Sequence, residues 1–246
     1  MNLDEFCHRF QTLLDGKPPL PSMFDGGRRL VGELTSEVEW FREILERLVM
    51  DRQYLDGQRV SIWPNEVTVY RSPDRSFVIL SYLWEPRTAD TVHDHGSWGI
   101  ISQLVNHAME RKFRRLDDGG REGYAELEET SSRVIEPGDT TCVLPLNEGI
   151  HQMVNLTDGI AVSVNVYGNV IRKGYVQYFY PETRSVQRVY PPRTSKKVMA
   201  IRTLGTLDRP WAKDILRAAL QSTMPDFLKK ECEASLSMKS PGKKQG

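Results

Sequence analysis

Between about Val60 and Tyr190 the chain is cut into short β-rich runs by glycine, proline and aspartate turns, with little room for a helix between them. The runs are Val67 to Val69, Phe77 to Trp84, Ile100 to Val105, Arg111 to Leu116, Arg133 to Ile135, Thr140 to Leu144, Ile160 to Tyr167 and Val176 to Tyr180. Asp117 to Arg121, Glu136 to Gly138 and Thr157 to Gly159 supply turns. A Rossmann-like parallel sheet needs a crossover of a dozen or more residues after each strand, and this spacing leaves none. Many short strands without intervening helices point to an all-β core closed as a barrel.

The flanks read differently. Residues 1 to about 55 have helical spacing, with Leu3, Phe6, Phe10, Leu13 and Leu14 on one stripe. Val38, Phe41, Ile44, Leu45 and Leu48 form a second stripe that Thr35 and Ser36 are expected to cap. This divides the chain into a helical segment over 1–55, a barrel over 56–193 and a C-terminal extension over 194–246. The extension is expected to hold one helix, Pro210 to Leu220, and a disordered tail from Lys239 to Gly246, rich in Lys, Ser, Pro and Gly.

Chemistry concentrates in three of the five histidines. His93 and His95 flank Asp94, and on an extended strand residues two apart point to one face, so both imidazoles can reach one ion. His151 follows a strand-like run and a Pro/Gly turn that can deliver a third imidazole from a neighbouring strand. His8 and His107 lack such surroundings and read as ordinary structural or surface residues.

The two segments Thr91-Val-His-Asp-His-Gly-Ser-Trp-Gly99 and Pro145-Leu-Asn-Glu-Gly-Ile-His-Gln-Met-Val-Asn155 resemble the two motifs of the cupin superfamily. The resemblance implies a double-stranded β-helix barrel and a single metal bound by His93, His95 and His151. The usual glutamate after the second histidine is missing: Trp98 and Gly99 stand there, and the next acid after Asp94 is Glu110. Three histidines without the acid look like the thiol dioxygenases of the cysteine dioxygenase group. The block Ser163-Val-Asn-Val-Tyr167 is similar to that group's Ser-x-His-x-Tyr, with Ser163 and Tyr167 matching and Asn165 replacing the histidine. Asn donates and accepts hydrogen bonds but does not titrate. Glycine at 99 resembles the bacterial branch, which includes 3-mercaptopropionate dioxygenases, and implies no cysteine–tyrosine cross-link. The likeness covers roughly Val67 to Tyr180.

The resemblance implies iron(II), although zinc would accept the same ligands. Three neutral imidazoles leave the ion its +2 charge, which favours an anionic thiolate as a further ligand, and coordination deprotonates the thiol. The expected reaction takes a small carboxylate-bearing thiol, 3-mercaptopropionate or cysteine, and O2 to the sulfinic acid, with 3-mercaptopropionate preferred. A carboxylate tail needs a cation, and an arginine fork binds it bidentately. Arg71 and Arg172 are the two candidates. Trp98 is expected to wall the pocket, and Tyr167, Ser163 and Asn165 to act near the metal. Asp94, Asp139 and Asn155 are possible orienters of the imidazoles, with the alternation of the strand turning Asp94 away. Two rival readings stay open: a metal-dependent cupin enzyme with a non-thiol substrate, and a non-catalytic metal-binding cupin.

The formal net charge is zero, from 33 basic and 33 acidic residues, which gives no electrostatic reason to expect nucleic acid or an acidic membrane as partner. The first residues are acidic and resemble no secretory signal, no run spans a bilayer, and Cys7, Cys142 and Cys232 read as free thiols. A cytoplasmic location is the expectation.

Overall fold

A computed structural model describes residues 1–238, so the expected tail from Lys239 onward lies outside the described residues. Two compact units divide the chain, Met1–Val189 and Tyr190–Gly246.

In the first unit, α1 (Leu3–Asp15) starts at Asn2, whose side chain accepts the Glu5 amide, and Asp4 and Glu5 face the positive end of the helix dipole. It buries Phe6, Cys7 and Phe10. The next helix, α2 (Leu20–Thr35), buries Met23, Gly27, Val31 and Leu34, a stripe of helical period. Here the capping expectation fails. Thr35 ends α2, its hydroxyl donating to the Val31 carbonyl, and Ser36 is that helix's own C-cap. A 3-10 turn over Glu39–Phe41 then leads into α3 (Arg42–Met50), and Asp51 caps α4 (Arg52–Asp56) by accepting the Tyr54 amide.

Ten strands follow: β1 (Glu66–Arg71), β2 (Val78–Trp84), β3 (Gly99–Val105), β4 (Ala108–Arg115), β5 (Leu127–Ile135), β6 (Thr140–Val143), β7 (His151–Val154), β8 (Ala161–Tyr167), β9 (Val176–Tyr180) and β10 (Ser185–Val189). One antiparallel sheet runs β1-β2-β8-β3-β6. The second runs β5-β4-β7, and an extended segment at His93 bridges β7 to β9, which pairs with β10. Strands that neighbour in space but not in sequence, all antiparallel, give the crossed-over order of a double-stranded β-helix. β7 and β10 were not among the expected strands. His-Gln-Met-Val is only one turn away from a 3-10 segment, and Ser-Val-Gln-Arg-Val is too polar to stand out.

β8 is buried along its whole length, and its two faces do different things. Val162, Val164 and Val166 pack into a cluster with Phe6, Phe10 and Phe77, while Ala161 and Tyr167 belong to a cluster with Leu80, Tyr82 and Trp84. The N-terminal helices therefore cover the outer face of the first sheet. Each fully buried valine or phenylalanine contributes about 1.5–3 kcal/mol relative to exposure. Gly27 permits the close approach of α2: a Cβ there would stand 2.4 Å from Ile100 Cδ1.

The second unit holds three helices among the described residues, not the single one expected: α5 (Pro192–Thr206), α6 (Pro210–Leu220) and α7 (Asp226–Ser237). Buried Glu231 organises it, accepting two 2.9 Å bonds from Arg202 and one from the Tyr190 hydroxyl. The apolar stripe of α5, Val198, Ile201 and Gly205, is diluted by Lys, Arg and Thr, which hides it in the sequence. No helix of the described residues is long and apolar enough to cross a membrane.

Candidate metal centre

Strand register brings the three imidazoles together. His93 and His151 exchange both backbone hydrogen bonds, His93 N to His151 O at 2.9 Å and the reverse at 3.0 Å. Residues directly opposite in such a pair project side chains to one side. His95, two residues along, shares that side. The ring centroids form a near-equilateral triangle of 4.7, 4.8 and 4.9 Å. One ring nitrogen of each lies within 4.8 Å of the others, and all three residues are buried.

The far nitrogens fix which atoms face inward. His151 Nδ1 donates to Glu110 Oε1 at 3.0 Å, and His93 Nδ1 donates to the Thr91 carbonyl at 2.9 Å, with Asp90 Oδ2 at 3.4 Å. The Nε2 lone pairs of both are left for the centre, and His95 Nε2 stands 2.8 Å from His151 Nε2. Without an ion that spacing is closed by a hydrogen bond from the Nε2–H tautomer of His95 to His151. Two nitrogens bound to one ion at about 2.0–2.1 Å would stand at such a spacing. The donor set therefore fits a metal ion.

Electrostatics agree. Burial pushes His95 well below the ordinary imidazole range, with His93 and His151 adding to the effect, and burial likewise lowers His93 against the pull of Asp90. Both rings are kept uncharged, as ligands must be. Burial raises Asp90 to about 6, moderated by His93. Burial also opposes ionisation of Glu110, but its bond to His151, together with Lys112 and Thr141, outweighs it and holds the carboxyl below its usual value. Thr141 Oγ1 donates to Glu110 at 2.7 Å, so the orienting carboxylate is itself oriented.

The cavity beside the imidazoles is lined by Trp63, Tyr82, Trp84, Asp90, Met153, Asn165 and Tyr167. The Tyr167 ring stacks on His95 at 5.2 Å, and Asn165 Nδ2 donates to the Tyr167 hydroxyl at 3.0 Å. Ser163 does not line the cavity; its hydroxyl accepts from Trp84 Nε1 at 3.2 Å and steadies that indole in the wall. Gly99 pairs with Tyr167, and a Cβ there would meet the tyrosine ring at 2.6 Å, so only glycine lets the ring sit where it does.

Several expected residues stand elsewhere. Trp98 is not in this wall; it packs against Phe10 and Phe24 beneath the N-terminal helices. Arg71 is exposed at the end of β1. Arg172 forms a bidentate ion pair with fully buried Asp94, which also accepts the Gln177 amide, and its guanidinium lies over the Tyr175 ring. Asp94 thus points away from the ligands, as alternation requires. Asn155 and Asp139 orient no imidazole either: Asn155 ties together the carbonyls of Trp84, Glu85 and Gly159, and Asp139 closes a turn on the Glu136 amide. Cys142 faces the helix-covered side, with burial raising its thiol to about 11.

Sequence reasoning missed Glu110, Asp90, Tyr82, Trp63, Trp84 and Met153. Glu110 left one trace, an acid in strand phase with apolar Ala108. The others come together only through pairings that no local pattern reveals.

No protein-family model matches the chain. Among solved structures, it is similar to a cupin 2 conserved barrel domain protein from Salinispora arenicola CNS-205, at 19% identity over 49% of this chain and 85% of that one, with a TM-score of 0.33. A protein with a double-stranded β-helix domain from Klebsiella pneumoniae matches at 12% identity over 55% and 86%, with a TM-score of 0.31. A DMSP lyase from Ruegeria pomeroyi DSS-3 matches at 16% identity over 44% of this chain and 45% of the lyase, with a TM-score of 0.31. At these scores the likeness carries no argument, and the barrel rests on the strand pairing itself.

Proposed function

We propose that the protein is an iron(II)-dependent dioxygenase that converts a small thiol, cysteine or 3-mercaptopropionate, to its sulfinic acid. The observation that carries this reading is a triad of buried imidazoles that, among the described residues, forms a possible metal-binding group without a carboxylate. When bound, a ferrous ion would supply a site for the thiolate and for O2, and both oxygen atoms would end on sulfur.

The chain's own groups support the task. Glu110 and the Thr91 carbonyl hold two imidazoles with their lone pairs inward. Trp63, Trp84 and Met153 keep the cavity largely apolar, which suits a thiol and limits water. Tyr167, stacked on a ligand and hydrogen-bonded by Asn165, offers a hydroxyl beside the reacting centre.

Protein reconstituted with iron(II) without oxygen, then given each thiol in air-saturated buffer, should consume O2 in step with a sulfinate two oxygen atoms heavier than the thiol. Full iron occupancy with no uptake on any thiol would end this reading. A second reading, a metal-dependent cupin enzyme acting on a non-thiol substrate, is favoured by one observation: Arg172 is held by Asp94 and does not line the cavity.

A further inference from the structure

The zero net charge of the chain is the sum of two unlike parts. Residues 190–246 carry 12 Lys and Arg against five Asp and Glu, a net charge of +7 in 57 residues, whereas 1–189 carry 21 against 28, a net charge of −7. Up to Met238 the basic part still counts nine against five, so more than half of its excess lies within the described residues. Charge segregated in this way points to an acidic partner for the basic part.

That charge is available. Lys196 and Lys197 on α5, Arg209 before α6, Lys213 on α6 and Lys230 on α7 are all exposed, and none of them is in an ion pair among the described residues. Two of the unit's five carboxylates are already taken, Glu231 by Arg202 and Asp214 by Arg217.

The same unit shows apolar surface. On α6, Ala212 and Leu216 are buried, which leaves Trp211, Ile215 and Ala218, spaced i, i+4 and i+7, as a second stripe that faces outward. Trp211 is 51% exposed and Ile215 48%, and Met199 on α5 is 56% exposed. An indole and a branched aliphatic on one outward stripe of a cationic helical unit match the composition of helices that lie in a membrane interface. Tryptophan, with an apolar body and one N–H, suits the boundary between acyl chains and headgroups.

A nucleic acid would answer the charge, but its phosphates offer nothing to Ile215 or Met199. A bilayer with anionic headgroups answers both features: the headgroups meet the lysines, and the acyl boundary takes the apolar side chains. We propose that the helical unit docks on anionic lipid surfaces through the Trp211–Ile215 stripe of α6. The association is peripheral, since no helix of the described residues is long and apolar enough to cross a membrane. It is independent of the reaction assigned to the metal centre.

The test is co-sedimentation of the full chain with vesicles of phosphatidylcholine alone and of an equimolar mixture with phosphatidylglycerol, at low and high salt. The expected result is binding to the mixed vesicles at least about tenfold tighter than to phosphatidylcholine, weakening as salt rises. Trp211→Ser combined with Ile215→Ser should lower affinity for the mixed vesicles about tenfold or more, with helix content by circular dichroism unchanged. Lys196→Glu combined with Lys213→Glu should remove most of the preference for the anionic lipid. Equal pelleting with both vesicle types, none with either, or undiminished binding by the folded Trp211→Ser/Ile215→Ser variant overturns the inference. A lipid-free mass of two copies that the same variant returns to one also overturns it, because a second copy then covers the stripe. Tighter binding to duplex DNA than to the mixed vesicles at the same salt overturns it as well, and assigns the charge to nucleic acid.

Discussion

At the scale of single residues, the site depends on atoms that never meet the metal. Removing an imidazole is the blunt case: His151→Ala leaves two candidate ligands, and the protein should retain far less metal after reconstitution, as metal analysis would show. Glu110→Gln is the sharper one. It keeps the volume but loses the charge that holds the Nδ1 proton of His151, so metal affinity should fall about 10–100-fold in a competition titration against a chelator. Retained affinity would mean that a neutral amide oxygen at this position holds the ring as well as the carboxylate does.

The helices and strands show why some of this was readable and some was not. His-x-His alternation is local, and the chain's pattern announced it; the pairing of His93 with His151 is not local, although the turn before His151 hinted at it. Trp98 was placed in the pocket wall because it follows the histidines closely, yet the backbone turns past Gly96 and delivers its indole to the helix-covered side. Arg172 was expected to serve a substrate because arginine suits a carboxylate, and the carboxylate it found belongs to Asp94 of its own chain. The helical cover has its own test. Phe10 is fully buried, with ring centroids 5.3 Å from Phe6 and 5.0 Å from Phe77. Phe10→Ala should cost about 3–5 kcal/mol in urea unfolding. β8 carries a further safeguard: a one-residue slip would drive Asn165 and Tyr167 into the apolar cluster and the valines into the site, so wrong register is penalised on both faces at once.

At the scale of the molecule, pH and metal act on stability through the same imidazoles. His93 and His95 have folded values below the unfolded one of about 6.5, so the native state binds fewer protons than the unfolded chain at mildly acid pH. Their contribution is neutral above that value, and stability is lost as pH falls below it. Asp90, raised to about 6, has the opposite sign between about 4 and 6 but counts for one proton against two. Urea unfolding of the metal-free protein should therefore show lower stability at pH 5.5 than at pH 8; the reverse order would contradict the burial of neutral rings. With the candidate ligands all in Met1–Val189, an ion at 100 times its Kd would add about 2.7 kcal/mol to that unit, and calorimetry should show its transition rising on metal loading. His93 is at once a candidate ligand and the residue that joins β7 to β9. An ion held there would clamp the seam of the second sheet, so an empty molecule opens first at that seam and meets proteases sooner. Scarcity of metal would then be recorded as a shorter lifetime, with abundance falling in step with the activity it supports.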